Sequence, residues 1–200
     1  MNKGTKNNFI IKCVLLIAVI VIGVVAIFSK AVDRKEMEML EEDYPKTTYE
    51  ILASKDFEVS YPATPSEVVK LYNKYLKYIY NTELNDDENE VLVDCLRQMW
   101  SEEWLKLNER DEHVVNMKKE AESFRNNKKV MSNYLVSESS TKREFESLNG
   151  KEGCAIISSY LYTIDKSTSK VYMLFYLLKE EDKWKILYYE LCDETGNKLE

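Results

Sequence analysis

One apolar run near the amino terminus constrains the fold of this chain more than any other feature. Between Phe9 and Phe28 the only charged side chain is Lys12. About 20 helical residues span roughly 30 Å, the thickness of the hydrocarbon core of a bilayer. Lys12 lies about one turn into the run, from where its ammonium group can reach the lipid head groups. The sequence therefore predicts a membrane-spanning helix at 9–29, preceded by a cytoplasmic tail at 1–8.

Charge beside the run predicts its orientation. Lys3 and Lys6 precede it, and the positive-inside tendency places such a flank in the cytoplasm. We expect a single-pass protein of the cell membrane whose C-terminal domain lies outside. A cleaved signal peptide is the alternative, because Ser29-Lys30-Ala31 loosely fits a cleavage site. The run is longer than the usual signal core of about 7–15 residues, which favours an uncleaved anchor.

The region after the anchor is strongly acidic. The whole chain has a formal net charge of −7, and residues 1–32 contain four lysines and no acidic residue, so residues 33–200 carry −11. Binding to nucleic acid depends on neutralising phosphates with basic side chains. Net charge therefore disfavours nucleic acid as a direct ligand, and the partner predicted for residues 9–29 is the lipid bilayer.

A repeated phrase predicts where the folded domain begins. In "YPATPSEVV", residues 61–69, Thr64 and Glu67 have the spacing of a helix capping box. Pro65 fits the first helical position. Apolar residues then recur at helical spacing as far as residue 81. The phrase therefore predicts the first helix of the domain.

The earlier phrase "YPKTTYEIL", residues 44–52, places Thr47 and Glu50 in the same capping positions. Its apolar run ends at Ala53, so we interpret it as a single helical turn within a stalk. The predicted organisation is then a linker at 30–62, a folded domain at 63–193 and a tail at 194–200.

The periodicity of the domain changes from helical to extended. Helical spacing continues at 86–107 and 110–125, and from Lys129 the period becomes two. The predicted strands are 129–137, 144–148, 153–164, 170–179 and 183–192. Helices followed by antiparallel strands indicate an α+β domain in which three helices pack on one face of a curved antiparallel sheet.

Both faces of the last predicted hairpin are apolar. With Glu181 at the centre of the turn, one face carries Val171, Met173, Phe175, Leu177, Leu187, Tyr189 and Leu191. The opposite face carries Tyr172, Leu174, Tyr176, Leu178, Trp184, Ile186 and Tyr188. Helices can cover one face, so the other needs sheet curvature, a ligand pocket or a second molecule. Half-exposed tyrosines with solvated hydroxyls are the alternative.

Aromatic residues of these strands have the composition of an interface core. The candidate interface or pocket residues are Tyr160, Tyr162, Tyr172, Tyr176, Trp184 and Tyr188. The partner expected at this face is a second copy of the chain or another protein.

Three cysteines follow the anchor, and none of them is in a CxxC spacing. Cys154 and Cys192 lie in predicted strands and either form a disulfide or remain buried thiols like Cys95. Free buried thiols behave as small apolar side chains, and we favour that interpretation.

The order of elements, ending in Lys183-Trp184-Lys185-Ile186-Leu187, resembles the nuclear transport factor 2-like, or cystatin-like, cone fold. The runs "TPSEVVKLYNKYLKYIYNTELNDDE" and "REFESLNGKEGCAIISS" resemble an uncharacterised group of membrane-anchored proteins from low-GC Gram-positive gut bacteria. The resemblance covers about residues 60–192 and rests on caps, turns and core positions. It implies a cone-like fold, frequent sheet-to-sheet pairing and no established activity.

The sequence selects no catalytic, cofactor-binding or metal-binding residue. His113, the single histidine, is predicted to lie on a solvated helix face beside acidic residues. Nucleophile-elbow, P-loop, dinucleotide-binding and zinc-site spacings are missing from the sequence. Enzymes of the cone fold place Asp, His or Tyr at the mouth of the cone, where Asp165 would qualify by position alone.

Three functional hypotheses follow. The first is an anchored, non-enzymatic module that binds a protein partner or itself outside the membrane. The second is an anchored subunit of an envelope or type IV secretion-like assembly, which is an analogy of architecture. The third is a small-molecule binder or hydrolase that uses the interior of the cone, for which a buried carboxylate would be the signature.

Overall fold

The computed structural model describes residues 47–138, 152–165 and 167–199. Contacts divide the chain into Met1–Thr47 and Thr48–Glu200, and the second unit contains every element given below. The predicted span at 9–29, most of the predicted linker and the predicted strand at 144–148 lie outside the described residues. Among the residues that are described, no helix is long and apolar enough to cross a membrane.

Five helices precede four strands in the described chain. The helices are α1 (Thr48–Ala53), α2 (Pro65–Asn81), α3 (Asp86–Arg97), α4 (Glu102–Leu107) and α5 (Arg110–Asn126). The strands are β1 (Lys129–Val136), β2 (Gly153–Ile164), β3 (Ser167–Glu180) and β4 (Lys183–Cys192). They form one antiparallel sheet in the order β1-β2-β3-β4, which confirms the predicted α+β class.

Capping boxes begin the two helices that the sequence marks most clearly. At α2, the Thr64 hydroxyl accepts a hydrogen bond from the Glu67 backbone N–H, and the Glu67 carboxylate accepts one from the Thr64 N–H. Asn85 and Glu88 form the same reciprocal pair at α3. Each cap satisfies backbone donors that the helix cannot, which is typically worth about 1 kcal/mol.

The predicted helix at 86–107 is two helices, α3 and α4, separated by an extended segment. Residues Met99–Ser101 run along the outer edge of β4. There the Ile186 N–H donates a hydrogen bond to the Met99 carbonyl, and the Ser101 N–H donates one to the Ile186 carbonyl, both at 2.8 Å. The Ser101 hydroxyl then caps α4 by accepting from the Trp104 N–H. Pairing with a strand edge outweighs continuous helix here, because it covers backbone groups that would otherwise be left open.

Helix α2 packs across the sheet and contacts β1, β2 and β4. Its Asn73 is buried and lies in a polar network with β2. The Asn73 amide donates to the Ser158 hydroxyl at 2.8 Å, and the Tyr160 hydroxyl donates to the Asn73 carbonyl oxygen at 2.6 Å. Since each unpaired buried polar group costs free energy, this network fixes the position of α2 along β2.

The folded unit begins at Thr48, so the predicted linker at 30–62 extends too far. Leu52 of α1 is 2% exposed and belongs to the main core together with Phe57. The Tyr75 hydroxyl of α2 donates to the Leu52 carbonyl at 2.7 Å. The described part of the earlier phrase, from Thr47, is therefore part of the fold, because Leu52 is buried against α2 and α3.

Replacing Leu52 with alanine tests this boundary. We expect Leu52→Ala to lower the free energy of unfolding by about 2–5 kcal/mol, as truncation of buried leucines does. Its neighbour Ile51 is 50% exposed, so Ile51→Ala provides a matched control with an expected change within about 0.5 kcal/mol. Urea unfolding of both variants measures the difference. If both variants lowered the free energy of unfolding by the same small amount, residues 48–57 would instead belong to a stalk.

Candidate functional site

A β-bulge decides which side chains of the last hairpin share a face. The turn consists of Glu181 and Asp182, both with positive φ, so Glu180 pairs with Lys183. The register then shifts at Leu187, because Tyr176 pairs with Tyr188 whereas the next β3 residue, Leu177, pairs with Ile186. An extra residue on one strand reverses the facing of everything on one side of it.

The two-residue turn places Trp184 and Ile186 on the face that packs against the helices, which corrects their predicted placement, and the bulge beyond Ile186 restores the predicted facing of Tyr188. Ile186 is buried beside Leu177 in the main core, and Trp184 packs against that core. Tyr188 remains on the opposite face, stacked on Tyr176 with ring centroids 4.3 Å apart. The sequence prediction was wrong for Trp184 and Ile186 because it centred the turn on Glu181 alone. The turn contains two residues, which shifts the pairing of β3 with β4 by one residue.

The six candidate residues divide between the two faces. Tyr160, Tyr162 and Trp184 lie on the helix side, where the rings of Tyr160 and Tyr162 stack with centroids 6.1 Å apart. Tyr172, Tyr176 and Tyr188 lie on the opposite face, which we call the outer face. The structure therefore brings together only half of the predicted set.

The outer face has a small core of its own. Buried residues from β2, β3 and β4 form it, with two half-buried neighbours; the members are Ala155, Leu174, Tyr176, Cys192, Ile157 and Tyr172. Cys192 belongs to this cluster, whereas Cys154 belongs to the main core on the helix side. The two thiols lie in different clusters and form no disulfide with each other, so the open question resolves to separate buried cysteines.

Residues 193–199, which we call the C-terminal hook, turn back against this cluster. Lys198 forms an isolated antiparallel bridge with Cys192. Gly196 has φ of +84°, and a Cβ at this position would lie 2.9 Å from Cδ1 of Ile157 and 3.7 Å from Cδ1 of Leu174. Only glycine combines that backbone conformation with so close an approach. The predicted tail at 194–200 is thus part of the fold over the residues described.

Carboxylates hold the hook in place. One Asp193 oxygen accepts hydrogen bonds from the Thr195 N–H at 2.8 Å, the Thr195 hydroxyl at 2.7 Å and the Asn197 N–H at 2.9 Å. These donors, Thr195 first, lower the pKa of Asp193 to about 2. The run Asp-Glu-Thr-Gly-Asn is a turn signal from which the hook could have been recognised in the sequence.

Glu190 links the hook to the outer face. The Tyr176 hydroxyl donates to one Glu190 oxygen at 2.8 Å, and the Lys198 ammonium lies 3.2 Å from the other. The Tyr176 hydrogen bond, followed by the lysine, lowers the pKa of Glu190. The Tyr176 hydroxyl, for which solvation was the alternative expectation, is therefore held by a carboxylate.

Apolar side chains remain exposed on the outer face beside the hook. Leu135 of β1 is 62% exposed. It pairs with Ser159 of β2, which pairs with Tyr172 of β3, so Leu135 and Tyr172 lie on the same face. Tyr188 of β4 is 42% exposed. We call Leu135, Tyr188 and the half-buried Tyr172 the outer patch. It presents apolar surface at both edges of the sheet, with the small core between them.

Side chains that are charged at neutral pH are not found in the buried interior of the described part of the chain. The buried polar side chains there are all neutral: Asn73, Asn89, Ser101, Ser158 and Ser159. No group of three metal-ligating side chains occurs among the described residues. Asp165 lies exposed, with φ of +52°, in the turn between β2 and β3.

His113 differs from its predicted position on a solvated helix face. Its ring is half-buried and meets Trp104 edge-on at 4.9 Å, and its buried Nδ1 has no hydrogen-bond partner among the described residues. Burial, followed by the charge of Arg97, lowers the pKa of His113 to about 4. The imidazole is therefore neutral at physiological pH and acts as a packing residue.

The hook yields a pH prediction. A carboxyl group with a depressed folded-state pKa stabilises the fold above its unfolded pKa of about 4, and this contribution is lost as the pH falls through about 2. We expect Asp193→Asn to melt at a lower temperature than wild type at pH 7, with a difference that shrinks between about pH 4 and 2. Thermal unfolding across this range measures it, with Glu194→Gln as the control. A difference that is constant with pH would contradict the role of Asp193.

Comparisons with known proteins complete the description of the site. The intermembrane space region of the chloroplast protein ARC6 is similar in structure over 65% of this chain and 98% of that chain, with 11% sequence identity and a TM-score of 0.29. A TM-score this low supports no conclusion about fold or function. No curated protein matches. The family described as domain of unknown function (DUF6715) matches residues 1–189, and the chain therefore belongs to that family.

Proposed function

We propose that this protein is a membrane-anchored, extracytoplasmic interaction module, without enzymatic activity, that self-associates through the outer patch. The observation that carries the proposal is the exposure of Leu135 and Tyr188 on a sheet face that otherwise packs its own small core. Exposed aromatic and aliphatic side chains next to a packed apolar surface are typical of interface cores.

The membrane anchor raises the significance of a weak interface. Residues 9–29 would confine all copies to two dimensions and so increase their effective concentration. The family match begins at residue 1, so the apolar run belongs to the same family sequence as the folded unit. This supports treating the anchor and the α+β unit as one functional protein.

We further propose that the α+β unit is a relative of the nuclear transport factor 2-like cone fold. The support is that α2 contacts β1, β2 and β4, and α5 contacts α2 and β1, so both long helices lie on one side of the sheet. Sheet-to-sheet pairing, which the resemblance implies, would use the outer face because the helices occupy the other.

Protease accessibility tests the topology. We expect protease added to intact spheroplasts to digest the C-terminal domain, because Lys3 and Lys6 place the amino terminus in the cytoplasm. A cytoplasmic protein of the same cells should survive and serves as the control. A C-terminal domain that stays protected until the membrane is lysed would overturn the predicted orientation.

Matched leucine substitutions test the interface. Leu135 lies in the outer patch, whereas Leu107 of α4 is 85% exposed on another element. We expect Leu135→Glu to weaken association by at least about tenfold, since an interface would bury its carboxylate unpaired, and Leu107→Glu to leave it unchanged. Resonance energy transfer between labelled copies of the full chain in lipid vesicles measures association.

Salt provides a second arm of the same test. Two regions carrying −11 each repel one another, so raising the ionic strength should strengthen association of the wild type. A wild type that stays monomeric in vesicles at high salt, or equal losses from the two leucine variants, would return the outer patch to ordinary solvated surface.

A further inference from the structure

A second surface feature lies away from the outer patch. A cleft of about 550 Å³ is formed where the β3–β4 turn meets the extended segment between α3 and α4. We call it the edge cleft. Its volume falls within the range of about 300–1,000 Å³ that is usual for small-ligand sites. Its walls combine positive charge, negative charge and an apolar floor.

The positive side of the edge cleft is Lys185. Its half-buried ammonium group donates to the Gln98 carbonyl and lies 4.5 Å from the centroid of the Tyr61 ring. The neighbouring Lys183 lies over the same ring at 5.5 Å but is paired with Glu58 at 3.1 Å. Burial, followed by repulsion from Lys183, lowers the pKa of Lys185.

Lys185 forms no ion pair with a carboxylate in the part of the chain that the structure describes. A half-buried cation of this kind gains from any anionic group that reaches it, because burial strengthens the attraction. An anionic ligand group would also offset the repulsion between Lys185 and Lys183.

The opposite side of the edge cleft is acidic. Glu180 reaches across from the β-turn, where its carboxylate accepts a hydrogen bond from the Glu102 backbone N–H at 3.1 Å. Carboxylates outnumber cations in the lining, five to three, which disfavours a multiply charged anion such as phosphate. This mixture of carboxylates and cations instead favours a ligand that carries one negative and one positive group.

The floor of the edge cleft is apolar. Trp100 is buried and stacks on Trp104 with ring centroids 4.1 Å apart, and Leu105 lies beside it. Trp100 is held rigidly because its segment pairs with β4. The small exposed part of Trp100 and the half-buried Leu105 together form an apolar wall that suits the side chain of a small apolar ligand.

We propose that the edge cleft binds a zwitterionic amino acid or short peptide with an apolar side chain. The carboxylate of the ligand lies against Lys185, its ammonium group lies toward Glu180 and Glu102, and its side chain lies on Trp100 and Leu105. The site is separate from the outer patch, so either proposal can fail without the other.

Tryptophan fluorescence of the full-length protein in mild detergent tests the proposal, because two of the three tryptophans of the chain lie at or beside the cleft. The probes are leucylglycine, its N-acetyl derivative, which lacks the ammonium group, and leucylglycinamide, which lacks the carboxylate. We expect saturable binding of leucylglycine and affinities at least about tenfold weaker for the two blocked probes.

Two lysine variants show where the probe binds. Lys185→Met removes the charge but keeps an unbranched side chain, and should weaken leucylglycine at least tenfold while leaving leucylglycinamide unchanged. Lys179→Met is the control, because Lys179 pairs with Glu152 and Asp182 and does not line the cleft. Lys185→Arg keeps the charge and should retain binding, which separates charge from folding.

Three results with the wild-type protein would overturn the proposal. They are the absence of saturable binding by leucylglycine, equal affinity for the zwitterion and its blocked derivatives, and tighter binding of inorganic phosphate than of leucylglycine. Loss of binding in Lys179→Met equal to that in Lys185→Met would also overturn it, because the effect would then not depend on the cleft.

Discussion

The need to cover both faces of one β-hairpin organises this fold. Strands β3 and β4 carry apolar side chains on each side, and an antiparallel sheet can leave only one face to water without a large hydrophobic cost. Helix α2 buries one side through residues such as Tyr72, whose ring meets Phe175 and Trp100 at 5.7 and 5.6 Å. The C-terminal hook covers part of the other side. The other features of the domain are arranged around helix α2 on one face of the hairpin and the C-terminal hook on the other.

Edge protection follows from the same arrangement. The outer edge of β4 is paired by Met99–Ser101, and at β1 the Asn81 side chain bonds both the N–H and the carbonyl of Met131. Strand edges left open invite pairing with other chains. These contacts disfavour edge-to-edge pairing at these points, and we therefore place the proposed interface on the outer face.

The two proposed sites have different physical characters. The outer patch is apolar, flat and spread across the sheet, as a protein interface is. The edge cleft is concave and of mixed charge, and it depends on a half-buried lysine that forms no ion pair with a described carboxylate. The bulge at Leu187 lies between Tyr188 of the outer patch and Lys185 of the edge cleft, so the two proposed sites use different parts of β4.

By itself, the sequence determined whatever depends on neighbouring residues. A capping box placed the start of α2, periodicity distinguished helices from strands, and together they gave the α+β class. Tertiary structure decided what depends on distant partners: the division of 86–107 by pairing with Ile186, the burial of Leu52 beneath α2, and the division of the six candidate residues between two faces. The physical reason is that local hydrogen bonds and periodicity involve residues a few positions apart, whereas strand register and burial depend on partners that only the folded chain brings together.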